Sequence, residues 1–100
     1  MNLFSQTITL NGKIFSSTDN SPIENANIFV EKTNFGSTSN SSGEFQLIFD
    51  LKDISNEITI IVDHIGFEST KINYNVNDNR NLDDVFLNPS VIKIEEVNVL

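Results

Sequence analysis

Apolar residues recur at every second position along nearly the whole chain, and this alternation constrains the fold more than any other feature. The apolar runs occupy residues 8–14, 26–30, 45–49, 58–62, 72–76 and 85–87. Successive side chains of a β-strand point to opposite faces, so each alternating run predicts a strand with one buried face. The period of about 3.6 residues that marks a helix does not persist through the sequence. The pattern therefore predicts an all-β fold.

Turn-forming residues separate these runs. Residues 16–22 combine Ser, Thr, Asp, Asn and Pro, which satisfy their own backbone locally. Residues 37–42 predict a short edge strand that leads into a turn, residues 75–81 predict an exposed loop, and residues 50–57 fit either one helical turn or a loop. The run 58–62 is the most apolar and predicts a central strand. About seven short strands with such turns predict a β-sandwich or a barrel.

The composition disfavours several classes of partner. The 100 residues suffice for one domain, and no cysteine is present to form a disulfide or a thiolate metal site. A net charge of −8, with only six Lys and Arg residues, disfavours nucleic acid and anionic membrane surfaces as partners. No stretch is long enough to span a bilayer, so we expect no direct membrane insertion by this domain. Residues 1–6 fit either a signal-peptide remnant or a plain terminus.

The single histidine does not predict catalysis. His64 follows Asp63 directly, and neighbouring residues of a strand point to opposite faces. The chain has no cysteine nucleophile, and no serine lies in a sharp strand-to-helix turn. We therefore expect a structural role for His64 and a domain that is not an enzyme, with no catalytic residue, no cofactor and no metal.

The carboxylates permit a calcium hypothesis but do not favour it. Asp78, Asp83 and Asp84 flank one loop, and Asp50 and Asp53 flank another. Neither group has the alternating ligands, the glycine and the final glutamate of an EF-hand loop. Solvated turn carboxylates are the preferred interpretation. A carbohydrate- or calcium-binding sandwich stays as an alternative function.

Four segments, taken in order, resemble one family. Residues 11–15 (NGKIF) resemble its opening strand, and residues 21–30 (SPIENANIFV) resemble its second strand. Residues 36–45 (GSTSNSSGEF) are similar to its turn G-T-x-T-D-x-x-G-x-F, and residues 63–68 (DHIGFE) to its corner x-x-I-G-Y-E. Together they resemble the carboxypeptidase regulatory-like domain. The resemblance implies a seven-strand Greek-key β-sandwich, transthyretin-like or immunoglobulin-like, over residues 7–89.

Four residues of these motifs are expected to be structural: Gly43, Phe45, Gly66 and Phe67. Gly43 is expected to adopt a backbone angle that other residues avoid. The chain departs from the family pattern at Asn40, where the family has Asp, and at Phe67, where it has Tyr. Asn40 can still cap the turn, whereas Phe67 cannot make a hydroxyl hydrogen bond.

The tail resembles a second family feature. Residues 94–99 (IEEVNV) are similar to the segment L-x-E-V-x-V that follows this domain in SusC-like TonB-dependent outer-membrane receptors. The apolar phase also switches at the acidic pair, so residues 90–100 fit either a linker to a following domain or a last edge strand. The expected partner-binding edge comprises Ile92, Ile94, Glu95, Glu96, Val97 and Val99.

The resemblance implies a non-enzymatic periplasmic module. It would lie at the N-terminus of a nutrient receptor, attached to the outer membrane through the domains that follow. Its expected partners are proteins, namely the rest of the receptor and the periplasmic energising machinery. The alternative from another class is an accessory stabilising domain of a secreted or surface peptidase or other enzyme.

Overall fold

Seven β-strands form the regular structure of the computed structural model, which describes residues 7–50, 56–77 and 80–91. In chain order they are β1 (Thr7–Ser16), β2 (Asn27–Val30), β3 (Gly36–Thr38), β4 (Glu44–Asp50), β5 (Glu57–Asp63), β6 (Thr70–Asn75) and β7 (Val85–Leu87). The described residues contain no helix with the length and hydropathy needed to cross a membrane. The prediction of an all-β fold is confirmed.

The strands form two sheets, one of three strands in the order β4-β1-β7 and one of four in the order β3-β2-β5-β6. Every pair is antiparallel except β1 and β7, which are parallel. The most apolar strand, β5, has a neighbour on both sides, as its sequence predicts. The two-sheet sandwich is thus confirmed, while the Greek-key path and the boundaries at 7–89 and 90–100 stay predictions.

One hydrophobic core lies between the sheets. It takes the inward residue of each alternating pair, so that β1 contributes Ile8, Leu10 and Ile14. The other buried apolar residues are Ile23, Ala26, Ile28, Val30, Phe45, Leu47, Phe49, Ile58, Ile60, Val62, Tyr74, Val76, Val85 and Leu87. Each large aliphatic or aromatic side chain buried this way contributes about 1.5–3 kcal/mol.

A glycine allows β1 and β4 to pack closely. Gly12 lies opposite Phe45 in the antiparallel ladder, and the Phe45 ring lies across the space that a side chain at residue 12 would occupy. A Cβ atom there would lie 2.5 Å from Cζ of Phe45. The small residue in β1 therefore makes room for the aromatic residue of β4.

The loops follow the turn chemistry of the sequence. The polar segment 37–42 gives the short edge strand β3 and then a turn, as predicted. The strand predicted from the run 72–76 begins earlier, at Thr70, because β6 pairs with β5 as far as Val62. Residues 51–55, where a helical turn or a loop was expected, and residues 78–79 of the polar loop lie outside the described residues.

Candidate interaction surface

The outward face of the sheet β4-β1-β7 carries the polar half of each alternating strand. Across the β1–β4 ladder, Lys13 lies opposite Glu44 and Asn11 lies opposite Gln46. Gln46 Nε2 donates a hydrogen bond to Asn11 Oδ1 at 3.2 Å. Among the described residues, Lys13 has no carboxylate within ion-pairing distance. The face thus keeps a charged amine available for a partner.

An aromatic pair lies on the same face next to these polar groups. Phe15 of β1 is the register partner of Phe86 of β7, and their ring centroids are 5.6 Å apart with 31° between the ring planes. Phe86 is 46% exposed. Aromatic pairs at such centroid distances stabilise a structure by about 0.5–1.5 kcal/mol beyond their buried area. The pair gives the face a small apolar area beside its polar part.

An open depression joins the polar residues of this face. Its lining includes Asn11 and Lys13 of β1, Glu44 and Gln46 of β4, and Asp84 just before β7. Ser37 and Thr38 of β3 also contribute. These groups offer hydrogen-bond donors and acceptors at a solvated surface.

The turn before β4 shows why residue 43 is glycine. Gly43 has φ +76°, and a Cβ atom there would collide with the carbonyl oxygen of Ile14. The side-chain oxygen of Asn40 accepts hydrogen bonds from the backbone N–H groups of Ser42 and Glu44, both at 2.9 Å. Asn40 therefore caps the turn with its amide oxygen, and Phe45 enters the core directly afterwards.

The corner after β5 contains the other two expected structural residues. Gly66 has φ +90°, with open space around it, and its carbonyl accepts a hydrogen bond from Ser90 N at 2.9 Å. Phe67 is half-buried, packs against the core and forms an antiparallel bridge with Pro89. The corner thus holds the chain that leaves β7.

His64 contacts backbone carbonyls and an aromatic ring. Its Nδ1 lies 2.6 Å from Ile65 O, its Nε2 lies 3.1 Å from Glu24 O, and its ring is edge-on to Phe67 at 5.6 Å. The neighbouring Asp63 accepts a hydrogen bond from Ser69 Oγ instead. His64 thus links the β5 corner to the loop before β2, and the two residues do not form a catalytic dyad.

The carboxylates of the described residues are dispersed. No group of three or more His, Cys, Asp or Glu side chains there is placed to hold a metal ion. Asp83 and Asp84 are exposed, while Asp53 and Asp78 lie outside the described residues. The hydroxyl and the backbone N–H of Ser21 donate hydrogen bonds to Asp19 and lower the pKa of its carboxyl.

Ser39 is a buried polar residue that the alternating sequence pattern does not distinguish from its neighbours. It is 2% exposed, its hydroxyl donates to Ile23 O at 2.7 Å, and it accepts from Ala26 N at 2.9 Å. Ser39 therefore fastens the turn after β3 to the segment that enters β2. Its burial could not be predicted from the sequence, because it lies in an all-polar run whose other serines are exposed or half-buried.

The predicted partner edge is not covered by the structure. All six of its residues, Ile92, Ile94, Glu95, Glu96, Val97 and Val99, lie outside the described residues. The last described residue, Val91, is 82% exposed, and Ile65 at the neighbouring corner is 93% exposed. The described chain therefore ends beside two exposed apolar side chains.

A model of the CarboxypepD_reg-like domain family matches residues 10–99. The chain belongs to this family. No curated protein matches the sequence. The domain is also similar in structure to a chain of a type II cohesin–X–dockerin complex from Acetivibrio cellulolyticus, with a TM-score of 0.61 and 17% identity. That alignment covers 80% of this CarboxypepD_reg-like domain and 56% of the other chain, and at this identity it supports the sandwich fold alone.

Proposed function

We propose that this CarboxypepD_reg-like domain is a non-enzymatic interaction and positioning module in the periplasm. In this proposal it is the N-terminal extension of a TonB-dependent outer-membrane receptor for nutrient uptake. It contacts the periplasmic energising machinery or orders the chain ahead of the domains that follow. The membrane is reached only through those following domains.

One observation carries the proposal. Residues 94–99 are similar to the segment that follows this domain in SusC-like receptors, while the family match over residues 10–99 supports the CarboxypepD_reg-like domain alone. The described surface adds support from chemistry. Its open depression combines polar and apolar lining, and His64 and Asp63 are engaged separately rather than as an acid–base pair.

The first experiment is to read the coding sequence beyond residue 100. A plug domain followed by many amphipathic segments of about ten residues supports the receptor. A peptidase or other catalytic domain in that place contradicts it and favours an accessory stabilising module.

The second experiment is a pull-down with the periplasmic domain of the energising protein as bait. We expect the bait to retain the full chain and not to retain a chain that lacks residues 91–100. A chain lacking residues 1–6 is the matched control. Retention that is unchanged by the C-terminal deletion contradicts the partner-binding role of residues 92–99.

A further inference from the structure

The four edge strands of the sandwich differ in how well they are protected. The edges are β4 and β7 in one sheet and β3 and β6 in the other. Proteins protect exposed edges by keeping them short or by placing Lys or Pro there. β3 and β7 have three residues each, Pro89 follows β7, and β6 carries the exposed Lys71. Three of the four edges thus have a protecting feature.

β4 has neither Lys nor Pro and is not short, although β3 lies close to it across the depression that Ser37, Thr38 and Gln46 line. It is seven residues long, its sequence is EFQLIFD, and its only charges are Glu44 and Asp50 at the two ends. Among the described residues, no strand pairs with the side of β4 that faces away from β1. An edge strand of seven residues without Lys or Pro is a template for pairing with another strand.

The hydrogen-bond pattern identifies the open backbone groups. Ile14 N donates to Gly43 O at 2.8 Å, so the odd-numbered residues of β4 direct their backbone groups toward β1. Gln46 and Ile48 therefore direct theirs toward the free edge. Glu44 is already satisfied there, because its N–H and C=O both bond to Asn40 at 2.9 Å. The open part of the edge is thus centred on Gln46 and Ile48.

We propose that the free edge of β4 binds an extended strand of a partner protein, an inference that rests on the proposed interaction role. The chain carries a charge of −8 and β4 itself has no basic residue, so the partner strand carries Lys or Arg. Its apolar side chains pack beside Ile48, which is 50% exposed. Repulsion between two chains of charge −8 disfavours a second copy, and Glu95 and Glu96 disfavour the chain's own tail.

Two synthetic peptides test the charge requirement. Each has seven residues to match β4, with alternating valine and threonine inside, and one has lysine at both ends where the other has glutamate. Binding of the labelled peptides to the full chain is measured by fluorescence anisotropy. We expect the lysine peptide to bind at least about tenfold more tightly than the glutamate peptide.

Substitutions at Gln46 separate backbone pairing from side-chain contacts. Gln46→Pro removes the N–H at the free edge without removing a bond to β1, and Gln46→Ala removes only the side chain. We expect Gln46→Pro to weaken binding of the lysine peptide about tenfold or more and Gln46→Ala to leave it nearly unchanged. Ile48→Lys, at an exposed position, is a second blocking variant. Asn73→Pro on β6 is the control, and circular dichroism verifies that each variant is folded.

Several outcomes overturn the proposal. These are failure of both peptides to bind, equal binding of both, and equal binding to the wild-type chain and Gln46→Pro. A dimer in analytical ultracentrifugation that Gln46→Pro abolishes identifies a second copy as the occupant instead. Peptide binding that appears only when residues 92–100 are deleted identifies the chain's own tail as the occupant of the β4 edge. The pull-down with the C-terminal deletion tests the proposed function separately. If no peptide binds at β4, the pull-down result still decides whether residues 92–99 bind the energising protein.

Discussion

At the scale of single residues, buried and turn-forming polar groups determine how the loops are held. Ser39 and Asn40 are adjacent, yet one hydroxyl is buried against backbone groups and the other side chain caps an exposed turn. Buried backbone groups need partners, because an unsatisfied one loses the free energy of its hydration. The polar run 37–42 therefore contains one residue on which stability depends.

Replacing this residue tests its role. We expect Ser39→Ala to lower the free energy of unfolding by about 1–3 kcal/mol, because it leaves Ile23 O and Ala26 N without the hydroxyl. Urea denaturation followed by circular dichroism measures the change. Ser41→Ala, at an exposed position of the same turn, is the matched control and should change the stability little. Equal stability of the two variants would contradict the role of the buried hydroxyl.

The carboxyl of Asp19 gives a pH-dependent prediction. Ser21 lowers its pKa in the folded chain, so the contribution of this carboxylate to stability is present above the pKa of the unfolded chain. It is lost as the pH falls through the lowered pKa of the folded chain. We expect Ser21→Ala to raise the pKa of Asp19 toward its ordinary value, measured by NMR titration of the side-chain carbon. Because the backbone N–H of residue 21 remains, an unchanged titration of Asp19 would show that the hydroxyl hydrogen bond is not the main cause.

At the scale of elements, the alternation of the sequence predicts strands well because it records a local property, the direction of each side chain. It therefore gives the inward sets of β1, β4 and β5 correctly. The parallel pairing of β1 with β7 joins Ile14 to Val85, which are far apart in the chain, and no local pattern records such a neighbour. The depression escaped prediction for the same reason, since its lining comes from β1, β3, β4 and the segment before β7.

The contact between β1 and β4 can be tested by a double-mutant cycle. We expect Gly12→Ala to lower the free energy of unfolding by about 1–3 kcal/mol, because the new methyl group overlaps the Phe45 ring. Phe45→Leu removes the outer ring atoms. In the double variant the cost of Gly12→Ala should therefore shrink, with an interaction energy of about 0.5–3 kcal/mol. Denaturation curves of the wild type, the two single variants and the double variant measure this interaction energy. Strictly additive costs would show that Gly12→Ala does not act through the Phe45 ring.

At the scale of the whole molecule, the domain combines one continuous hydrophobic core with an acidic surface. The carboxylates of the described residues are dispersed over that surface. The core draws on both sheets, so the domain has a stable body without disulfides. The net charge of −8 favours partners with basic contact surfaces over anionic ones. The same charge attracts divalent cations even without a dedicated site. An experiment must distinguish this general attraction from specific calcium binding.

Comparing two cations makes this separation. A specific site filled at about 100 times its dissociation constant stabilises the fold by about 2.7 kcal/mol, which for a domain of this size raises Tm by more than about 10 °C. General attraction to an acidic surface acts alike for Ca²⁺ and Mg²⁺ and weakens with added salt. Because the described carboxylates form no group of three metal ligands, we expect equal and small Tm shifts with the two ions. Thermal unfolding in each cation and in chelator measures them. A large shift with Ca²⁺ alone would instead establish a calcium-binding sandwich and contradict a purely protein-directed role.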